Sequence, residues 1–260
     1  MRRAGTGMAL LLALTGCRTG AVSTGAPPAE STSVTTRPVV SATAGPVTPA
    51  STCGDETTVI VPGGANIFGA GIDELPAPGG GGGGVAPICV AVPAGASTVT
   101  IPGASGSLSF TALRAPDVHF HKCPGGSEAI LAYGPDGNPG GCPDDVPGGT
   151  IPAAGVVSGI ASRGRGGYLI GVFLPEPWGG TPPPMLDFEE RYDFIRLAPT
   201  LGQLFFVGDG RTAEGRLQTF RIPTGATRLY LGIADAFDFR GPPGFYDDNY
   251  GRLRIETRFE

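Results

Sequence analysis

The chain has 260 residues, a formal net charge of -5 and a pI of about 5.1. No basic stripe runs through it, which leaves nucleic-acid binding without electrostatic support. Its 45 glycines and 27 prolines are interrupted by apolar, strand-like runs, a pattern that suits an all-β domain with many turns better than disorder.

Arg2 and Arg3 open the chain with positive charge, and Met8–Leu14 is an apolar core too short to span a bilayer as a helix. Leu14-Thr15-Gly16-Cys17 follows and resembles the lipobox of bacterial lipoproteins. The resemblance implies that residues 1–16 are a signal peptide and that Cys17 is lipidated and becomes the first mature residue. It further implies a cell-envelope protein held to a membrane, facing the periplasm or the cell surface. Residues 17–52 are dominated by Ser, Thr, Pro, Ala and Gly, with no aromatic side chain and no periodicity. Such a segment cannot bury enough apolar surface to offset its ordering entropy, and is expected to be a flexible tether. Removing Cys17 leaves Cys53, Cys89, Cys123 and Cys142, an even set in an exported chain, which points to two disulfides. Proximity in sequence suggests Cys53–Cys89 and Cys123–Cys142, although four cysteines allow three pairings.

A folded domain is expected over residues 53–260. β-Favouring runs occur at Thr57–Val61, Ile88–Val92, Thr98–Ile101, Leu108–Leu113, Ala129–Tyr133, Gly155–Ile160, Tyr168–Leu174, Tyr192–Leu197, Gln203–Val207, Leu217–Ile222, Arg228–Ile233 and Arg252–Phe259. In the last, Leu253 and Ile255 alternate with arginines, giving one buried and one wet face. No stretch shows a helical apolar period. A β-sandwich of about eight to ten strands, jelly-roll-like, is the expected architecture. Gly79–Gly84 reads as a mobile loop or hairpin tip, because no helix follows that would turn it into a phosphate cradle.

The densest oxygen chemistry lies near the end. Arg228–Ile233 leads to Asp235, and Tyr246, Asp247, Asp248, Asn249 and Tyr250 precede the final run. If the two strands form a hairpin, Asp235 lies at the same end as Asp248 and Asn249. Their side-chain oxygens, with loop carbonyls, suit a hard cation such as Ca²⁺. The stretch from Ala226 through Asp235 to Ile255 resembles the C-terminal hairpin of the PA-IL-like galactose-binding bacterial lectins. The earlier Tyr133-Gly134-Pro135 resembles that family's ligand turn. The resemblance implies Asp235, Asp248 and Asn249 as Ca²⁺ side-chain ligands, with carbonyls from Tyr133 and from near Phe245. It also implies binding of carbohydrate or another surface ligand without catalysis. Other stretches, among them "ANIFGAG", "YGPDG" and "GYLIGVFL", resemble secreted bacterial proteins of unknown role, many of which end in a PEP-CTERM sorting tail that this chain lacks. Two departures from the lectins stand out. Asp248 replaces one of the paired asparagines, and the lectins' His and Gln sugar contacts have no clear equivalent.

Other candidates are thinner. His119, His121 and Cys123 fall on one face of a strand at a spacing Zn²⁺ or Cu accepts, unless the cysteine is in a disulfide. Asp187, Glu189 and Glu190 offer a carboxylate pair for glycoside hydrolysis, or simply a solvated face. Trp178 and Tyr246 are aromatic candidates for stacking on a ligand, Trp178 equally for capping the core.

Overall fold

Period-two alternation and unbroken apolar runs sort the strands into two kinds, and each kind builds its own sheet. The computed structural model describes residues 53–110, 120–122, 128–130, 132–138, 148–189 and 191–260. A five-stranded sheet has the order β1 (Thr58–Pro62), β14 (Tyr250–Phe259), β3 (Thr98–Ser109), β12 (Thr219–Arg221), β10 (Arg196–Leu197). A four-stranded sheet has the order β11 (Phe205–Phe206), β8 (Leu169–Leu174), β13 (Arg228–Ile233), β2 (Ile88–Ala91). Smaller sheets pair β4 (Phe120–Lys122) with β5 (Glu128–Ile130), and β6 (Thr150–Ile151) with β7 (Ile160–Ala161) and β9 (Leu186–Asp187).

In β14, Leu253, Ile255 and Thr257 are buried and Arg252, Arg254 and Arg258 are exposed, so the five-stranded sheet keeps a wet face. In β8 and β13 every residue is buried. These strands are covered on both faces, which is why they read as continuous apolar runs. The 3₁₀ turn Ile67–Gly69 packs against both of them. One apolar cluster spans the two main sheets, and Phe205 of β11 lies 5.2 Å, centroid to centroid, from Phe220 of β12. The fold is thus an all-β sandwich, as the composition implies.

Several expectations are corrected. β13 and β14 do not form a hairpin, because they belong to different sheets. Gly155–Ile160 is mostly a tight turn, with Gly155 at φ 59 and a bridge between Ala154 and Val157. The Thr98–Ile101 run and the start of Leu108–Leu113 merge into the single strand β3. The Pro102-Gly103 pair that looks like a turn sits where the β3–β14 register shifts between Glu256 and Arg258. A bulge tolerates a proline that the interior of a ladder does not.

Cys53 is disulfide-bonded to Cys89, closing a loop of sequence separation 36 and fastening the start of the domain to β2. Cys123 and Cys142 lie outside the described residues, as do Cys17 and the expected tether. Loop closure of this length stabilises by about 4 kcal/mol, so Cys89→Ser is expected to lower unfolding free energy by that order in urea titrations. Ile255→Ala, which empties the buried face of β14, is expected to cost about 2–5 kcal/mol in the same measurement.

Candidate functional site

β13 ends at Ile233, and Asp235 follows at the sandwich end. The loop that returns to β14 is fixed there by Tyr246, only 1% exposed. Its hydroxyl donates to the Ile233 carbonyl and accepts from the Asp235 N–H, both at 3.1 Å. Tyr246 is therefore an internal post and not the ligand-contacting aromatic suggested by its neighbours in sequence. Asp235 is 3% exposed. Its Oδ1 accepts from the Ala236 N–H at 2.8 Å and its Oδ2 from Asn249 Nδ2 at 2.7 Å. Asn249 Nδ2 also donates to the Gly63 carbonyl at 3.2 Å, just beyond β1. The structure thus brings Asp235 and Asn249 together even though their strands lie in separate sheets. Asn249 Oδ1 is buried and takes no hydrogen bond among the described residues.

Electrostatics single out the same point. Burial pushes the Asp235 carboxyl up to about 7. The hydrogen bonds from Asn249 and Ala236 oppose that rise, and the nearby Asp248 adds to it. Asp248 is also raised, by burial first and then by Asp247. None of the ion pairs among the described residues involves Asp235, Asp247 or Asp248. No three Asp, Glu, His or Cys side chains gather at metal-binding distance among the described residues. The donor set on offer is two carboxylates, an amide oxygen and loop carbonyls, a mixture that hard cations accept.

The loop is strained. Asp238, Phe239 and Phe245 all have left-handed backbones, at φ 51, 55 and 68. Non-glycine residues there cost free energy and persist only when their surroundings over-determine them. Part of that surrounding is the glycine run, which corrects the expectation of a mobile tip. Gly79 N–H donates to the Pro243 carbonyl and Phe245 N–H to the Gly80 carbonyl, both at 2.8 Å. A Cβ on Gly81 would meet the Phe245 ring and backbone, and one on Gly84 would strike the Gly64 carbonyl and Tyr246 Cβ. Backbone lies directly on backbone here, which only glycine permits. Asn66, fully buried, holds the end of this run by donating to the Gly83 carbonyl at 3.1 Å.

The remaining candidates separate cleanly. Tyr133 exchanges two 2.8 Å backbone hydrogen bonds with Leu108, whose other partner is Gly251 of β14. The Pro135 carbonyl accepts from Leu169, the partner of Ile233. The Tyr133-Gly134-Pro135 turn therefore lies between the ends of the strands that flank Asp235 and Asn249. Its Tyr133 carbonyl already accepts from the Leu108 N–H. Trp178 donates its indole N–H to the Val156 carbonyl at 2.9 Å and packs against the core, where it acts as a cap. Asp187 accepts from the Glu189 N–H at 2.9 Å, and Glu189 lies 3.6 Å from Arg191, so both serve local turn geometry. His121 lies in β4 opposite Ala129, while His119, Cys123 and Glu190 lie outside the described residues.

The raised Asp235 value sets a pH dependence. Between 3.8, its ordinary value, and about 7, the folded state holds the proton that the unfolded state releases. The contribution of Asp235 to metal-free stability is therefore fully present below this window and is lost as pH rises through it, by an amount on the order of a few kcal/mol. Thermal melts in chelator across this range are expected to show that slope. Asp235→Asn is expected to flatten most of it and to raise the midpoint at mildly alkaline pH. A wild-type midpoint that does not move with pH would contradict the assignment. Comparisons of this chain with protein-family models, with curated proteins and with solved structures find no match.

Proposed function

We propose that this protein is a lipid-anchored, exported binding module that holds Ca²⁺ at the end of β13 and engages carbohydrate or another cell-surface ligand there, without catalysis. The observation that carries the proposal is the buried Asp235 carboxylate beside the orphaned Asn249 Oδ1. A desolvated carboxylate and an unpaired amide oxygen are each costly alone, and one divalent cation relieves both. Asp235, Asp248 and Asn249 would supply the side-chain ligands, with carbonyls drawn from the strained loop near Phe245. Phe237, 65% exposed and 5.6 Å from the Phe245 ring, offers an apolar face beside the site on which a sugar ring can stack.

A second reading is a purely structural ion in an envelope protein. The Asn249 amide favours it to the extent that it already ties Asp235 to Gly63, so that an ion would rigidify the junction between sheets. The hydrolase reading has less support, because Asp187 and Glu189 are engaged in local contacts.

Calcium at about a hundred times its dissociation constant is expected to stabilise the fold by about 2.7 kcal/mol, a midpoint rise of roughly 5–10 °C for a domain of this size. Asn249→Ala and Asp235→Asn should both abolish that rise in differential scanning fluorimetry. Glycan-array binding that disappears in chelator supports the lectin-type reading. A calcium-dependent melt with no glycan bound selects the structural one. No calcium response in the wild type overturns the site itself.

A further inference from the structure

The turn that carries Tyr133 also borders a cleft of about 270 Å³, walled by Asp136, Arg165, Tyr192, Asp193, Asp209 and Arg211. Its polar groups are held in place. Asp136 Oδ1 accepts from the Asp209 N–H at 3.0 Å, Asp209 Oδ1 from the Arg211 N–H at 2.8 Å, and Asp193 Oδ1 from the Ala213 N–H at 2.7 Å. One oxygen of each carboxylate is thereby locked to backbone. Oδ2 of Asp209 and of Asp193 takes no hydrogen bond among the described residues.

The cations are differently engaged. Arg211 donates to the Pro102 and Gly215 carbonyls, both at 2.9 Å. Arg165 lies 4.8 Å over the Tyr192 ring, donates to the Asp136 carbonyl at 3.2 Å and sits 3.7 Å from Asp136 Oδ2. What the cleft has in surplus is acceptor capacity, with guanidinium donors close by. Burial first, and then the neighbouring Asp136, hold the Asp209 carboxyl above its ordinary value, against the opposing pull of Arg211 and Arg165.

We propose that this cleft binds a monosaccharide unit, independently of Ca²⁺, through hydrogen bonds from its hydroxyl groups to Asp209 and Asp193. A sugar hydroxyl donates and accepts at once, so it bridges a carboxylate and a guanidinium that stand side by side. The other ligand classes fit poorly. A phosphate would face three carboxylates. A metal ion would face the guanidinium groups of Arg165 and Arg211, which line the same wall. An apolar ligand would leave Asp and Arg unsolvated. The size also matches: a cavity of about 150 Å³ admits a bare six-membered carbon ring, and this one has room for a ring with its substituents.

The test is ligand-observed saturation-transfer NMR on the folded protein in EDTA, with the methyl glycosides of glucose, galactose, mannose and glucosamine as probes. Transfer to at least one of them is expected. Ala213→Trp, an exposed rim position, should remove it by filling the mouth. Asp209→Asn keeps the bond to the Arg211 N–H and should weaken binding about tenfold, the loss of one charge-assisted hydrogen bond. Adding calcium in place of EDTA should leave the signal unchanged. No transfer from any probe overturns the cleft proposal, and so does transfer that persists in Ala213→Trp. Transfer that requires calcium overturns it too, since it belongs to the other site.

Discussion

A carboxylate that is 3% exposed and pairs with no basic side chain among the described residues organises one end of this sandwich. Asp235 lies just past the end of β13 in the four-stranded sheet, and the amide that reaches it, Asn249, leads into β14 of the five-stranded sheet. Their 2.7 Å hydrogen bond is therefore a link across the sandwich and not a rung within a ladder. Burying a charged group is expensive unless it is paired, and a neutral amide pairs it only in part. Whatever occupies the vicinity of Asp235, whether a proton or a cation, decides how much of that cost remains.

The neighbouring backbone follows from this placement. For Asn249 to reach both Asp235 and Gly63, the loop from Ala236 must cross between sheets within a short span, and Tyr246 nails its far end to β13. Three left-handed non-glycine residues carry the crossing. The Gly79–Gly84 strap lies against that loop and supplies carbonyls to the N–H groups of Phe245, Tyr246 and Asp247. Side chains on the strap would hold the two backbones apart, which explains a glycine run in a segment that is neither a linker nor a phosphate loop.

The parts of the fold legible in sequence are those set by local pattern. The alternation of β14 and the unbroken runs of β8 and β13 report how many faces each strand buries, and that is a property of single residues. Sheet membership is not local. Arg228–Ile233 and Arg252–Phe259 look like the arms of a hairpin because they are consecutive, yet each finds its partners elsewhere, β13 in β2 and β8, β14 in β1 and β3. At the candidate site, Asp235 and Asn249 meet at 2.7 Å, although the hairpin expected to bring them together does not form. Tyr246 was misleading, since nothing in its immediate sequence distinguishes a buried post from an exposed ring. The cleft is not legible in sequence because its members come from the separate segments around Asp136, Arg165, Asp193 and Asp209, which only tertiary packing assembles.

The two proposed sites are contrasting answers to one electrostatic problem. Each gathers carboxylates near a turn, and the Tyr133–Gly137 segment touches both surroundings. At the cleft, Arg165 stands against Asp136, and backbone N–H groups lock one oxygen of every carboxylate. Charge there is largely balanced within the protein, so the remaining demand is for hydrogen-bond donors, which an organic hydroxyl meets. Around Asp235 no described basic side chain plays that part, and the remaining demand is for positive charge itself. A divalent cation provides it in a way that a neutral sugar cannot. The sign of the local deficit, more than the number of acidic residues, separates a metal site from a polyol site in a chain where both are made of the same few side chains.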